Sequence, residues 1–210
     1  MLSHGQQLFR IKADFSIKER AADGSSKLTM GTVYYDLNNR VILYNITFPE
    51  KGQLVIADSM MTTLTHDTIV NQVKSGIVPE FSIFHLALTG RLNNYGFKAS
   101  FFKVDKVEQD QGQVITTWRP GPQLAKQVGK VIMSNQNRQL LGIAFFSPEE
   151  ELLNRQIFKD YTKVQGLSFP TRIIQTVYRE DGQSKQITTY RNLVLNELEN
   201  DLLYNFALPK

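Results

Sequence analysis

Three residues that lie close together in the chain could carry out acid–base chemistry. His66 and Asp67 are adjacent, and Asp58 lies shortly before them. A histidine beside a carboxylate can move a proton near neutral pH, so this cluster is the best candidate for an enzyme site. The simpler interpretation is a loop histidine next to a helix-capping aspartate, and the sequence favours that interpretation.

The other polar candidates have structural explanations that require no chemistry. His85 lies in an apolar stretch and is interpreted as a packing residue rather than a ligand. Three glutamates at 149–151 follow Ser147-Pro148, which is typical of the first turn of a helix, where the helix dipole favours carboxylates. The three histidines lack the spacing of metal ligands. We therefore expect no catalytic residue and no metal site.

Composition excludes several further classes of function. The 210 residues include no cysteine, which excludes disulfide frameworks, thiolate metal sites and cysteine nucleophiles. The net charge of +4 comes without a basic patch of interleaved aromatic residues, so nucleic acid is not an expected partner. The sequence contains no glycine-rich phosphate loop and no nucleophile elbow. We expect no cofactor, and apolar surface remains the main chemical resource.

Alternation of apolar and polar residues predicts a mainly antiparallel β protein. From Phe9 to Lys18 the apolar residues fall on one side of a strand and the polar residues on the other. Similar segments, separated by short turns, bring the predicted total to about eleven strands. The predicted strands cover residues 9–18, 28–35, 41–48, 53–57, 97–107, 114–118, 128–134, 141–146, 157–164, 172–179 and 185–195. Because no linker divides them, we predict a single domain over residues 1–210.

Three segments interrupt the strand pattern. Residues 79–92 predict an apolar helix that begins at Pro79 and places Phe81, Phe84, Leu88 and Leu92 on one face. This helix could be a lid over a ligand cavity, or a plug that fills the core of a curved sheet. Residues 67–76 fit either a helix after an aspartate cap or a loose strand, and residues 147–150 predict one or two helical turns.

The order of several short motifs resembles the periplasmic lipoprotein carrier LolA and its relatives. Within residues 9–64 the shared features are an alternating first strand, GTVYY at 31–35, TFP at 47–49 and LVIADS at 54–59. The segment PEFSIF at 79–84 looks like the lid helix of that family. The C-terminal residues 186–209 are also similar. The likeness covers most of the chain as a pattern of strands and turns with few identities.

The resemblance implies an incomplete antiparallel β-barrel with a short apolar lid helix on its concave side. It further implies a non-enzymatic periplasmic carrier of lipoprotein acyl chains or another hydrophobic ligand. Its partners would be an inner-membrane release complex and an outer-membrane acceptor, and the carrier would act as a monomer. On this interpretation Met1 would replace a removed export signal. The residues expected to line the cavity and lid are Phe15, Ile17, Tyr44, Ile46, Phe81, Phe84, Leu88 and Phe145.

One position departs from the family pattern. A basic residue between the second and third strands helps to hold the family's lid shut, and the equivalent position here is Leu37. Arg40, three residues later, either takes over that role or leaves the lid without it. The main alternative to a carrier is a structural or adaptor protein of the cell envelope that has the same fold with a filled core.

Overall fold

Thirteen antiparallel strands form one continuous sheet in the computed structural model, which describes residues 7–75 and 78–209. The strands are β1 (Arg10–Arg20), β2 (Ser26–Asp36), β3 (Val41–Phe48), β4 (Gly52–Ala57), β5 (Met60–Thr65), β6 (Thr68–Lys74), β7 (Phe102–Asp110), β8 (Gln113–Pro120), β9 (Val131–Gln136), β10 (Gln139–Phe146), β11 (Leu152–Val164), β12 (Leu167–Arg179) and β13 (Gly182–Leu195). The predicted mainly β fold is confirmed, with two more strands than expected. A single domain over residues 1–210 stays a prediction.

The first and last strands meet in the middle of the sheet. The strand order is β6-β5-β4-β3-β2-β1-β13-β12-β11-β10-β9-β8-β7, so each half of the chain forms a meander and β1 pairs with β13. Phe15 of β1, for example, lies opposite Tyr190 of β13. The two edge strands, β6 and β7, do not pair with each other, so the sheet remains an incomplete barrel.

One of the two additional strands occupies the region that the sequence left ambiguous, and the other lies directly before it. The strand alternative for residues 67–76 is correct, because β6 covers Thr68–Lys74, while β5 was not predicted at all. Tight turns bound β5 at residues with positive φ, namely Asp58, His66 and Asp67. Aspartate and histidine tolerate this backbone conformation better than most residues, so a turn can form here without glycine.

The predicted helix over residues 79–92 forms three short pieces. A 3-10 helix covers Pro79–Phe81, α1 covers Ile83–Leu88, and another 3-10 helix covers Leu92–Asn94. Ser82 explains the break, because its extended backbone and its side chain, which accepts from the His85 amide at 3.2 Å, restart the helix there. A further 3-10 helix at Phe97–Ala99 delays the strand predicted from residue 97 until Phe102.

No helix forms at residues 147–150, contrary to the prediction from the capping pattern. The Ser147 hydroxyl does accept from the amides of Glu149 and Glu151, at 3.1 and 3.3 Å. The Ser147 amide, however, donates to the Glu151 carbonyl, and Glu150 has a left-handed backbone. The segment therefore closes as a tight turn between β10 and β11.

Apolar side chains gather on both faces of the sheet. The inner face, which α1 covers, carries a first inner cluster around Ile11, Phe15, Tyr35 and Phe84. Next to it is a second inner cluster around Trp118, Met133 and Ile143. The outer face carries a smaller cluster, in which Tyr34 and Leu43 pack against Tyr204 of α2 (Asp201–Tyr204).

Candidate functional site

The helix α1 closes the inner face by inserting one aromatic ring. Phe84 is 1% exposed and its ring stacks on those of Tyr35 and Phe169, at centroid distances of 6.0 and 6.1 Å. The ring of Tyr190 meets it edge-on at 5.4 Å. Phe84 therefore fills the space directly beneath α1.

Six of the eight residues predicted to line the cavity and lid lie in or against the first inner cluster. Phe15 and Phe84 are buried members, and four half-buried residues pack against them: Ile17, Tyr44, Ile46 and Leu88. Phe145 instead packs against the second inner cluster, beside the ring of Tyr95 at 5.9 Å. Phe81 is 43% exposed, because the helix break at Ser82 separates it from the face that carries Phe84.

A hydrogen bond between two buried side chains anchors α1 to β2. The hydroxyl of Tyr35 lies 2.8 Å from Nδ1 of His85. Burial raises the pKa of Tyr35, so its hydroxyl keeps its proton, and burial also lowers the pKa of His85. We infer that Tyr35 donates to a neutral His85, whose pKa is adjusted further by three charged groups, Glu80, Arg40 and Arg91.

This histidine predicts a pH dependence of stability. Because the pKa of folded His85 lies below its unfolded value of about 6.5, the unfolded chain binds the proton more readily. The contribution of His85 is therefore complete above that pH and is lost as the pH falls below it. Urea unfolding at pH 7 and pH 5 should show a smaller pH-dependent loss in His85→Gln than in the wild type. The matched control is His66→Gln in an exposed turn, and an equal reduction in that variant would contradict the assignment.

A second polar contact joins the turn after β2 to the segment before α1. Arg40 Nη1 lies 3.1 Å from Glu80 Oε1, with side chains that are 60% and 39% exposed. Arg40 therefore contacts the segment before α1, and its role in holding a lid shut stays a prediction. An exposed ion pair contributes at most about 1 kcal/mol, so burial of Phe84 outweighs it in holding α1 in place.

The middle of the inner face contains two tyrosines, Tyr44, which is half-buried, and Tyr190, which is buried. Burial raises the pKa of Tyr44 to about 12, and it raises the pKa of Tyr190 well above its ordinary value. The ring of Tyr44 also meets that of Phe15 edge-on at 5.1 Å. Both phenols therefore keep their protons within largely apolar surroundings.

Beyond these tyrosines the inner face becomes polar. Strand register places five residues side by side across five strands, and we call them the polar row: Lys27, Glu19, Gln186, Gln175 and Gln156. Glu19 lies four positions after Phe15 on β1, so the two share a face. An open trough of about 470 Å³ lies along this end of the sheet.

The residues that the sequence did not identify are those whose position depends on strand register. The polar row is one example, since its members are far apart in the chain and look like ordinary strand residues. Phe169 and Tyr190, which contact Phe84, come from the last two strands. One signal in the sequence could have helped to find these residues, namely the alternation in β13. It places Gln186 and Tyr190 on one face, but it does not show which residues lie opposite them.

The candidate acid–base cluster does not form. Asp58 precedes β5 and His66 follows it, so the full length of that strand separates them. His66 and Asp67 share an exposed turn. Within residues 7–75 and 78–209, no group of three or more potential ligands among histidine, aspartate and glutamate is arranged to hold a metal ion. No described helix is long and apolar enough to cross a membrane.

Solved structures of known proteins show the same fold. A LolA superfamily protein from Nitrosomonas europaea is 14% identical, with a TM-score of 0.61 over 94% of this chain and 90% of that chain. A DUF1329 family protein from Desulfovibrio piger is 12% identical, with a TM-score of 0.65 over 97% and 93%. A domain described as an outer membrane lipoprotein-sorting protein, from Vibrio parahaemolyticus, is 12% identical, with a TM-score of 0.51 over 94% and 90%.

The sequence itself matches no protein-family model and no curated protein. At these identities the likeness concerns the path of the backbone alone. The chain therefore has a LolA-like fold, distant in sequence from the solved structures that share it.

Proposed function

We propose that this protein is a non-enzymatic carrier of acyl chains or a related hydrophobic ligand in the periplasm. The observation that carries the proposal is Phe84, a single ring from a six-residue helix that occupies the aromatic centre of the inner face. The separation of Asp58 from His66 also supports a non-enzymatic role. The ligand would enter where Phe84 now lies, between the sheet and α1.

The free energy gained by burying Phe84 is comparable to that gained by burying part of an acyl chain in its place. Burying a phenylalanine side chain is worth about 1.5–3 kcal/mol, and burying each methylene is worth about 0.8 kcal/mol. Four methylenes of an acyl chain would therefore offset the displacement of Phe84. The contacts that hold the segment, Tyr35 with His85 and Arg40 with Glu80, could re-form when the ligand leaves.

Uptake of a neutral apolar probe tests this proposal. The fluorescence of N-phenyl-1-naphthylamine increases when the dye leaves water, and we expect the wild-type protein to bind it. Since the chain contains no cysteine, Arg40→Cys with Glu80→Cys introduces a unique pair that a short bis-maleimide can join. The cross-linked protein should take up the probe much more slowly than the same variant without cross-linker, because α1 can no longer move away.

The cross-linking experiment has a matched control and a clear contrary result. Cross-linking Asp160→Cys with Arg172→Cys, at another exposed ion pair on neighbouring strands, should leave uptake unchanged. Equal uptake by the locked and unlocked forms would show that α1 does not gate the site. No uptake by the wild-type protein would contradict the carrier function itself.

The packed centre favours one alternative, a structural or adaptor protein of the cell envelope with a filled core. Phe84 is 1% exposed and stacks on Phe169, as the ring of a permanent plug would be. The probe experiment separates the two functions, since a plugged protein should bind no dye in any form. If the carrier function holds, handover to a release complex and to an outer-membrane acceptor would follow from the same movement of α1. We propose a monomer for this role.

A further inference from the structure

The open trough differs in character from the apolar part of the inner face. Its walls come from β1, β2, β12 and β13, and they include four members of the polar row, Lys27, Glu19, Gln175 and Gln186. Neighbouring strands bring such side chains to within about 5 Å of one another. The trough therefore presents two amides, a carboxylate and an ammonium group side by side, with the hydroxyl of Ser184 beside them.

The charged residues of the trough are mostly positive and lack ion-pair partners. Its lining includes four cations and one carboxylate, Glu19. Lys27 and Arg179 share the face of Glu19, whereas Arg20 and Lys185 pair one position farther along and belong to the opposite face by strand alternation. Of these five, none forms a salt bridge within the described part of the chain. Lys27 lies directly opposite Glu19 in the register without an ion pair between them. This surplus of positive charge suits an anionic group.

A nearby amide oxygen lacks a partner and would suit a hydroxyl donor. The Asn154 side-chain oxygen is buried and accepts no hydrogen bond from any described residue. Asn154 lies opposite Val177, which lines the trough. A buried acceptor without a donor is costly, so a ligand hydroxyl that reached Asn154 would be favoured.

The inner face has an apolar half and a polar half, so it suits an amphipathic ligand with an apolar part and a polar part. On β1 the inner-face residues run from Ile11 and Phe15, beneath or beside α1, through Ile17 to Glu19 at the trough. These positions span eight residues, or roughly 27 Å at about 3.4 Å per residue. We propose that the trough binds the anionic phosphate headgroup of a lipid whose acyl chains occupy the apolar half. This inference rests on the proposed carrier function.

Two lysolipids with the same acyl chain test the headgroup site. Displacement of N-phenyl-1-naphthylamine measures binding of lysophosphatidylglycerol, which is anionic, and lysophosphatidylcholine, which has no net charge. We expect the wild type to bind the anionic lipid about fivefold more tightly, as one or two partly exposed ion pairs would give. In Lys27→Gln with Arg179→Gln this preference should disappear, while binding of lysophosphatidylcholine is retained. Lys18→Gln, on the outer face of β1, should keep the preference.

Each contrary outcome shows which proposal is wrong, the headgroup site alone or the carrier function as well. Equal binding of the two lysolipids by the wild type, or a preference that survives in the double variant, would overturn the headgroup site while leaving the carrier function in place. Failure to bind either lysolipid would overturn both proposals. Free glycerol 3-phosphate serves as a headgroup without a chain. If it bound as tightly as lysophosphatidylglycerol, by isothermal titration calorimetry, the trough would be an independent anion site, and the lipid assignment would be wrong.

Discussion

Replacing Phe84 by alanine should lower the free energy of unfolding by about 3–5 kcal/mol, the usual cost of removing a fully buried aromatic ring. The ring is 1% exposed, and three aromatic residues contact it, so neighbouring side chains would have to move far to fill the cavity. Urea denaturation followed by circular dichroism measures the change. The control is Phe81→Ala, three positions earlier, whose ring is 43% exposed and should cost less than about 1 kcal/mol.

The same variant should bind the apolar probe more tightly than the wild type. Removing the ring vacates the position that an acyl chain would take, so the probe no longer has to displace it. If Phe84→Ala were as stable as the wild type, the aromatic stack would not be what holds α1 against the sheet. If it were destabilised but bound no probe, the vacated space would have collapsed, as expected of a permanent core.

The second large effect is expected at Arg10, in a charged network on the outer face. Arg10 Nε donates to the Asp36 carboxylate at 2.6 Å, and the side chains are 10% and 3% exposed. Its guanidinium also bonds to Asp201 at 2.6 Å and lies 4.6 Å from the ring centre of Tyr204. Arg10→Met should lower the free energy of unfolding by about 3–5 kcal/mol, because it leaves the Asp36 carboxylate buried without its counter-charge.

Two comparison variants distinguish the cost of the unpaired Asp36 carboxylate from the cost of the packing that Arg10→Met removes. Arg172→Met removes an ion pair with Asp160 whose side chains are 48% and 52% exposed, so its cost should be below about 1 kcal/mol. Arg10→Met combined with Asp36→Leu should be more stable than Arg10→Met alone, since both charges are then gone. A double variant that is less stable than the single variant would show that the turn bonds made by Asp36, to the amides of Asn38 and Asn39, are the dominant contribution.

Local patterns in the sequence were enough to predict most of the strands. The alternation around Phe15 predicted both β1 and the face that its side chains occupy, because a strand turns successive side chains to opposite sides. The strand β5 was not predicted, since its threonine-rich sequence has little apolar alternation and its turns contain no glycine. His66 and Asp67 were candidates for acid–base chemistry, but both have a left-handed backbone, and this is the physical reason that they form a turn.

Interactions between distant parts of the chain could not be predicted in the same way. The sequence predicted that Phe84 lies at the cavity or lid, but its partners Phe169 and Tyr190 depend on how β12 and β13 align with β1. Phe81 does not share the buried face that carries Phe84, because the Ser82 cap interrupts the periodic pattern. The polar row required five strands to be aligned at once, and a shift of one residue in any strand would have dispersed it.

The unpaired edges of the sheet have a consequence for how the protein deforms. In a closed barrel, widening the interior breaks backbone hydrogen bonds between strands. Here the sheet is open, because β6 and β7 are its edges and do not pair with each other. The segment around α1 connects these two edge strands in the chain. The curvature can therefore relax by small changes of twist spread over many strands, with every ladder intact. In hydrogen exchange, the amides of α1 should become labelled long before those of β1 and β13, which lie at the centre of the sheet. The sheet would therefore bend elastically, and the six-residue helix α1 would determine how easily it opens.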